Sequence, residues 1–416
     1  MPLPHTRSLA LAAAIALAPS PALLGAVAPT VLPAVHADRA AIEEVLASME
    51  RAVLAGAAAA YLEHVVPADG PDGDPVFRQE QIAWASDLKN DHGGAPASFT
   101  LRIADGADRP ADFWPQRAEF ELVMTWRMGP AKGDAAADGG GGTRRDSRRE
   151  RERSVSYPVV FKNIDGRWLY AGENWIVVKG DGVVARTVEG FEDVARLVVE
   201  AWPAVKAHVE EGFEIPAPGL PVQEVKIYGD MRHLQSSIYL SYVDSLSGWN
   251  EPGEAIKIVG RYSSSPAALR PLLAHEFGHV ATFSFGPKAN DAPWWILEGA
   301  AELASEAFNT SLARMTDDVV RAWARSDQLA DWSDLADFRT IPPRLGGHVY
   351  RQGHHMLAYI SSTHGRTARN TWLRALGQGR TLDEATIDAL SMTFAELDAA
   401  WRAHVTAEPA AAPDAP

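Results

Sequence analysis

The strongest constraint on this fold comes from two apolar, helix-compatible segments. They carry histidines and carboxylates at fixed spacing. The first contains His275-Glu276-Phe277-Gly278-His279, in which the two histidines are four residues apart. Residues at this spacing lie on one face of a helix, so both imidazoles can reach a single metal ion. Glu276 then lies beside a metal-bound water and can accept its proton. The motif therefore predicts a metal-binding helix.

The second segment carries two carboxylates. Its first carboxylate, Glu298, is separated from His279 by eighteen residues. Glu298 follows the sequence WWIL, and Glu302 lies one helical turn beyond it in a helix that is otherwise nearly all apolar. Burying a carboxylate in such a helix costs free energy unless the charge is paired or bound to a metal. We therefore expect both carboxylates to have a charged partner.

The motif HEFGH, followed after eighteen residues by WWILEG, resembles the gluzincin metallopeptidases, which share this spacing with the zinc aminopeptidases. It is similar in particular to the peptidase MA-like domains of bacterial secreted proteins, in which a W-x-x-E-G-x-A-E stretch recurs. The resemblance covers residues 183–405. It implies that His275, His279 and Glu298 ligate Zn2+ and that Glu276 is the general base and proton shuttle.

Two related classes fit the motif less well. A metzincin requires glycine and histidine three and six residues after the second histidine, where this chain has Thr282 and Phe285. An aminopeptidase of this type carries a G-x-M-E-N motif that captures the substrate amino terminus, and the chain lacks it. A metzincin is therefore excluded, and an aminopeptidase-type exopeptidase is less favoured.

The same resemblance indicates further site residues. In thermolysin-like gluzincins an acidic residue one turn after the ligand carboxylate orients a zinc-bound imidazole, so Glu302 is expected in that role, with a surface salt bridge as the alternative. Peptidase MA-like domains carry a tyrosine near the start of a later helix, and zinc peptidases use Tyr or His to donate a hydrogen bond to the oxyanion. Tyr350 is the first candidate and His354 the second. We expect His348 and His355 to serve packing.

Residues 1–37 have the pattern of a secretory signal peptide. Arg7 precedes an uncharged apolar run, and the sequence VHA before Asp38 is a small-x-small cleavage site. Prolines interrupt what would have to be a spanning helix of about 20 residues. The sequence therefore predicts an exported protein, periplasmic or extracellular, with no stable membrane span after cleavage. An uncleaved membrane anchor is the alternative.

Residues 38–180 have an α+β pattern. Apolar residues recur at helical spacing first, and alternating strands follow, the last of them at 175–179. With Phe161 and the run GRWLY, this region resembles the nuclear-transport-factor-2-like fold, a cone that holds a ligand or active site or serves as a protein-binding module. The loop 129–153 combines GGGG with an arginine-rich tract and is predicted to be disordered and solvated; binding of an anionic partner is the alternative.

The second domain is predicted to span residues 183–405, and a fragment with these bounds is expected to fold and bind zinc alone. A helix is predicted at 191–211, followed by strands at 222–228 and 255–260, the metal helix and a helical C-terminal part. By the gluzincin resemblance, strand 255–260 lies along the cleft and pairs with substrate. The alternative is an ordinary strand within the sheet. Residues 406–416 are predicted to be a disordered tail.

The net charge and the absence of cysteine argue against several classes of partner and site. The 416-residue chain has a formal charge of −15, which argues against binding nucleic acid or an anionic membrane surface. It has no cysteine, so neither disulfides nor thiolate metal sites are possible. The sequence predicts a zinc metallopeptidase that acts on a peptide or protein, with a non-catalytic zinc-containing envelope binding or assembly protein as the alternative. It does not indicate an oligomeric state.

Overall fold

The fold combines helices with two five-stranded sheets, which confirms the predicted α+β class. No helix in the described part of the chain is both long and apolar enough to cross a bilayer. Most of the predicted signal peptide, of the glycine- and arginine-rich loop and of the tail lies outside the described residues. The structure is a computed structural model that describes residues 32–70, 73–89, 94–104, 111–129 and 150–407.

The N-terminal unit is an antiparallel sheet with three helices on one face. The strands follow the order β1-β3-β4-β5, and β2 pairs with β3. Inward side chains alternate along β3, so that one face of the sheet forms the core with the helices. The elements are α1 (Leu32–Leu54), α2 (Ala58–Leu62), α3 (Pro75–Asp87), β1 (Ser98–Ile103), β2 (Asp112–Trp114), β3 (Arg117–Arg127), β4 (Arg153–Ile164) and β5 (Arg167–Glu173).

The C-terminal unit begins with a mixed sheet and continues as a helical array. The strand order is β6-β7-β8-β10-β9, with β8 parallel to both of its neighbours. Its strands are β6 (Ile176–Gly180), β7 (Val183–Thr187), β8 (Gln223–Tyr228), β9 (Gly248–Trp249) and β10 (Ile256–Val259). Its helices are α4 (Glu192–Gly212), α5 (Met231–Ile238), α6 (Pro266–Phe283), α7 (Trp294–Ser305), α8 (Leu312–Arg325), α9 (Gly346–His364), α10 (Arg366–Gly377), α11 (Leu382–Leu390) and α12 (Phe394–Thr406).

The second sheet starts earlier than the sequence indicates. The predicted boundary between residues 180 and 183 falls in the turn of the β6–β7 hairpin, and β6 pairs antiparallel with β7. The alternating pattern at 175–179 correctly predicts a strand, but alternation does not specify the partner strand. The strand β7 was not predicted.

The edge of the second sheet also differs from the expectation. The predicted strand at 255–260 corresponds to β10, which pairs with β8 on one side and β9 on the other. Its backbone is therefore used within the sheet, and the alternative of an ordinary internal strand is the one observed. The two-residue strand β9 occupies the edge instead.

A buried ion cluster joins the two units. Glu80 of α3 is 5% exposed and pairs with Lys226 of β8, and it lies 3.8 Å from the Nζ of Lys257 in β10. Lys257 also contacts Glu254, at 2.9 Å. Burial alone would lower the pKa of Lys226, but the facing carboxylates outweigh it and raise the pKa. Removing one member of such a cluster leaves an uncompensated buried charge.

We expect a 183–405 fragment to be insoluble, in contrast to the expectation from the sequence alone. The cut removes β6, which exposes the paired edge of β7, and it uncovers the apolar surface that packs against the N-terminal unit. The measurement is soluble yield and a cooperative thermal transition, with a 38–407 fragment as the control. A 183–405 fragment that melts cooperatively would show that the units are independent.

Candidate metal centre

Helix α6 presents the histidine pair. Ser265 caps its N-terminus by accepting a hydrogen bond from the Ala268 backbone, and the helix continues through Pro271. His275 and His279 lie on one face as predicted, with ring centroids 5.1 Å apart. Both rings line the floor of a cleft of about 740 Å3 between the helices and the edge of the second sheet.

Small residues let α7 approach α6 closely. A Cβ atom added at Gly278 would lie 2.8 Å from the Cβ of Ala304 and 3.0 Å from the Cα of Ala301. Real Cβ atoms do not come that close without a shift in the structure, so only glycine fits between the helices. This contact brings Glu298 of α7 over the two histidines of α6.

Three donor atoms converge at this crossing. The Oε2 of Glu298 lies 3.2 Å from the Nε2 of His275 and 3.6 Å from the Nε2 of His279. The ligand atoms of the three residues all lie within 4.8 Å of one another. Bond lengths of about 2.0–2.2 Å in a tetrahedral site place ligand atoms roughly 3.4 Å apart. The donor set and its spacing therefore fit a zinc ion.

One atom in this cluster lacks a hydrogen bond. Glu298 is 8% exposed, and its Oε2 is buried without a hydrogen-bond partner in the described structure. Burial alone would raise the pKa of Glu298, but the facing imidazoles lower it well below its usual range. A buried, ionised and unpartnered oxygen directed at two imidazole nitrogens is the feature a bound cation would explain.

Trp294 holds the other oxygen of this carboxylate. Its Nε1 donates a 2.7 Å hydrogen bond to the Oε1 of Glu298, one turn later on α7. The bond leaves Oε2 free to face the histidines. The sequence analysis used the tryptophans only as part of a motif, although the i, i+4 spacing could have indicated this bond.

Glu302 lies where the sequence analysis expects it. Its Oε1 is 3.5 Å from the Nδ1 of His275, on the opposite side of the ring from Glu298. Burial alone would lower the pKa of His275, but the two carboxylates outweigh it and raise the pKa well above its usual value. Glu302 therefore contacts one nitrogen of the ring, and the other nitrogen, Nε2, faces the cluster.

Glu276 lies beside the cluster and faces β9. Its side chain is 4% exposed and packs against Gly248, where an added Cβ would lie 2.3 Å from Oε1. Burial raises the pKa of Glu276 above its usual value, although the two histidines oppose the shift. The carboxyl lines the cleft and does not belong to the convergent donor set. This dependence on Gly248 was not predicted.

Among the other candidates, Tyr350 reaches the cleft. Its ring lies 6.3 Å from that of His275 and 6.0 Å from that of Trp294, between centroids. His354 is 1% exposed behind it, where Nδ1 contacts Thr316 and Nε2 contacts Glu306. The structure therefore places Tyr350, and not His354, along the cleft. His348 stacks on Trp323, and His355 bonds to Asp317 and Trp401.

The opposite wall of the cleft is aromatic and polar. Asn250, just after β9, is 9% exposed, and both its Oδ1 and its Nδ2 are buried without hydrogen-bond partners in the described residues. An amide with a free donor and a free acceptor matches the two groups of a peptide bond. The aromatic residues of this wall, partly exposed and packed edge to face or stacked, are Tyr239, Tyr242, Trp249 and Phe338.

Neither protein-family models nor curated protein sequences give a match to this chain.

We expect the purified protein to bind about one equivalent of zinc through this donor set. His275→Ala or His279→Ala removes a ligand and should lose most of the metal, whereas Glu302→Ala should weaken affinity by about ten- to a hundredfold. Elemental analysis and titration against a competing chelator measure both effects. The control is His404→Ala, which alters an exposed histidine. Equal zinc content in His275→Ala and His404→Ala would exclude this site.

Proposed function

We propose that this chain is a zinc-dependent metallopeptidase, similar to the gluzincins, that hydrolyses peptide bonds. The observation that carries the proposal is the convergence of His275, His279 and Glu298 on the floor of a cleft that Glu276 also lines. A purely structural zinc site has four closed ligands, whereas this donor set has three residues and faces an open cleft. It also has no need of a carboxylate beside the first histidine.

The metal would be held by His275, His279 and Glu298. When bound, zinc supplies a Lewis acid that polarises the scissile carbonyl and brings the pKa of a water to about 7. Glu276 accepts the proton of the attacking water and delivers it to the leaving amine, since it is the carboxyl that lines the cleft without belonging to the donor set. Glu302 keeps His275 oriented throughout.

Tyr350 is proposed as the donor to the oxyanion. Its ring packs between His275 and Trp294, and burial raises the pKa of its hydroxyl well above the usual value. The hydroxyl is therefore protonated at neutral pH and able to donate. A donor in this position stabilises the charge that develops on the carbonyl oxygen.

A peptide or protein substrate is supported by the wall opposite the helices. The edge strand β9 lies beside Glu276, and Asn250 follows it with both amide atoms unpartnered. An extended peptide laid along this edge would extend the sheet by one strand and lie beside Glu276. We propose that the protein acts after export, as the sequence of residues 1–37 indicates.

Two glutamate-to-glutamine variants distinguish the proposed general base, Glu276, from the proposed metal ligand, Glu298. Glu276→Gln leaves the three ligands in place, so zinc should stay while hydrolysis falls by about 10²–10⁴ with loss of the proton acceptor. Glu298→Gln replaces an anionic ligand with a weaker neutral one, so zinc content should fall. Metal analysis, hydrolysis of a mixed peptide library and circular dichroism provide the readouts.

Two results would contradict the proposal. Wild-type rates in Glu276→Gln would exclude the role given to this carboxylate. No cleavage by zinc-loaded wild-type protein over the whole library would instead favour the non-catalytic binding or assembly protein.

The packing of Glu276 against β9 gives a second test. Gly248→Ala places a methyl group where the Oε1 of Glu276 now lies, so the carboxyl must move or β9 must shift. Misplacing a catalytic group by about 1 Å costs on the order of 10² in rate. We expect hydrolysis to fall by about that factor with zinc retained. Gly212→Ala, where an added Cβ meets no atom within 4 Å, is the matched control, and equal rates in the two variants would refute the dependence.

A further inference from the structure

The connection between β8 and β9, residues 229–247, belongs to both units at once. Its ends lie in the second sheet, and its middle, which includes α5, packs on the N-terminal unit. Leu240 is 2% exposed and lies in the core of the N-terminal unit. This segment, called here the β8–β9 connection, forms part of the cleft wall on its other side.

Two tryptophans of the N-terminal unit hold the backbone of this connection. The Nε1 of Trp84 donates to the carbonyl of Ser236, and the Nε1 of Trp126 donates to the carbonyl of Leu240, each at 2.9 Å. Trp126 is fully buried on β3. A buried carbonyl that loses its donor is left unsatisfied, so these bonds fix the path of the chain.

Arg153 provides the third attachment. The sequence places it at the end of a solvated loop, but it begins β4 and is 8% exposed. Its Nη1 donates to the carbonyl of Tyr242, its Nη2 donates to Gln235 at 2.6 Å, and its guanidinium lies 5.0 Å above the ring of Trp126. Burial, together with Arg232, lowers the pKa of Arg153 to about 10.

Arg153 makes these contacts without a carboxylate. Within the described ranges no carboxylate lies at ion-pair distance from it, so neutral groups compensate its charge. A buried guanidinium held by a backbone carbonyl, a side-chain amide and a ring is costly to displace, because its hydrogen bonds would be lost in a low-dielectric site.

The connection that these bonds hold presents the side chains of Tyr239 and Tyr242 to the cleft. The ring of Tyr242 stacks parallel to Phe338, with centroids 6.5 Å apart, and meets Trp249 of β9 at 5.5 Å. Tyr239 contacts the same tryptophan at 6.1 Å. The held carbonyl of Tyr242 therefore belongs to a residue of the aromatic wall, and the held carbonyl of Leu240 belongs to the residue that directly follows Tyr239.

We propose that Trp126 and Arg153 are positioning residues for the active-site cleft. By holding the carbonyls of Leu240 and Tyr242, they fix the aromatic wall against which a peptide substrate binds. The inference rests on the proposed peptidase function. It makes the N-terminal unit a part of the substrate-binding apparatus instead of a separate recognition module.

The test compares Trp126→Phe and Arg153→Met in the full chain. Amide hydrogen exchange at residues 239–250 should rise by about tenfold as the held carbonyls are released. The KM for peptides should rise by about three- to tenfold with kcat within about twofold, because the wall binds ground state and transition state alike. Zinc content should not change, since no ligand is touched.

Two further variants make the test specific. Trp168→Phe alters a buried tryptophan of the same core on β5 and should lower the melting temperature without changing exchange at 239–250 or KM. Arg153→Lys keeps the positive charge and a single donor nitrogen. Its changes in exchange and KM should therefore be smaller than those of Arg153→Met.

Wild-type exchange and KM in Trp126→Phe and Arg153→Met would overturn the proposal, as would equal changes in Trp168→Phe. Should Arg153→Met fail to fold, Trp126→Phe and Arg153→Lys still decide it. If zinc-loaded wild-type protein cleaves no peptide, the proposed function fails. The exchange measurement alone then decides whether these residues hold the connection.

Discussion

The close approach of three helices at glycine is the constraint on which this site depends. Gly278 of α6 meets α7, and Gly299, next to the ligand candidate Glu298, meets Gly353 of α9, where an added Cβ would lie 2.5 Å from a backbone carbon. Neither contact tolerates a side chain without movement of a backbone. The donor atoms at the crossing thus owe their spacing to residues that carry no chemistry, and Tyr350 reaches the cleft because α9 can lie so near α7.

Carboxylates surround the histidine pair where α6 and α7 cross. Glu276, Glu298 and Glu302 surround two imidazoles in a largely buried setting. With only these groups, His275 is pushed towards its charged form, which partly balances the carboxylates. A divalent cation at the convergent atoms supplies the same balance with neutral histidines. If the proposed function holds, a proton and the metal ion would therefore compete for the same imidazole nitrogen atoms.

Structural features that depend on local residue spacing were predicted correctly. The helix predicted at 191–211 and the strand predicted at 222–228 are observed, as Glu192–Gly212 and Gln223–Tyr228. The predictions failed where a feature depends on contact between distant segments: the burial of Arg153 and the packing of Gly248 against Glu276 each join residues from separate elements of the chain. Periodicity reports which face is buried, but it carries no information on what covers that face.

The place of Leu240 has a consequence for the order of events during synthesis. The last strand of the first sheet ends at Glu173, yet the core of that unit is completed by a leucine about 67 residues later (240 − 173). The nascent N-terminal unit therefore leaves the ribosome with a gap in its core, although domains usually fold as units in order of emergence. Its final packing has to wait until the first strands of its neighbour have been made.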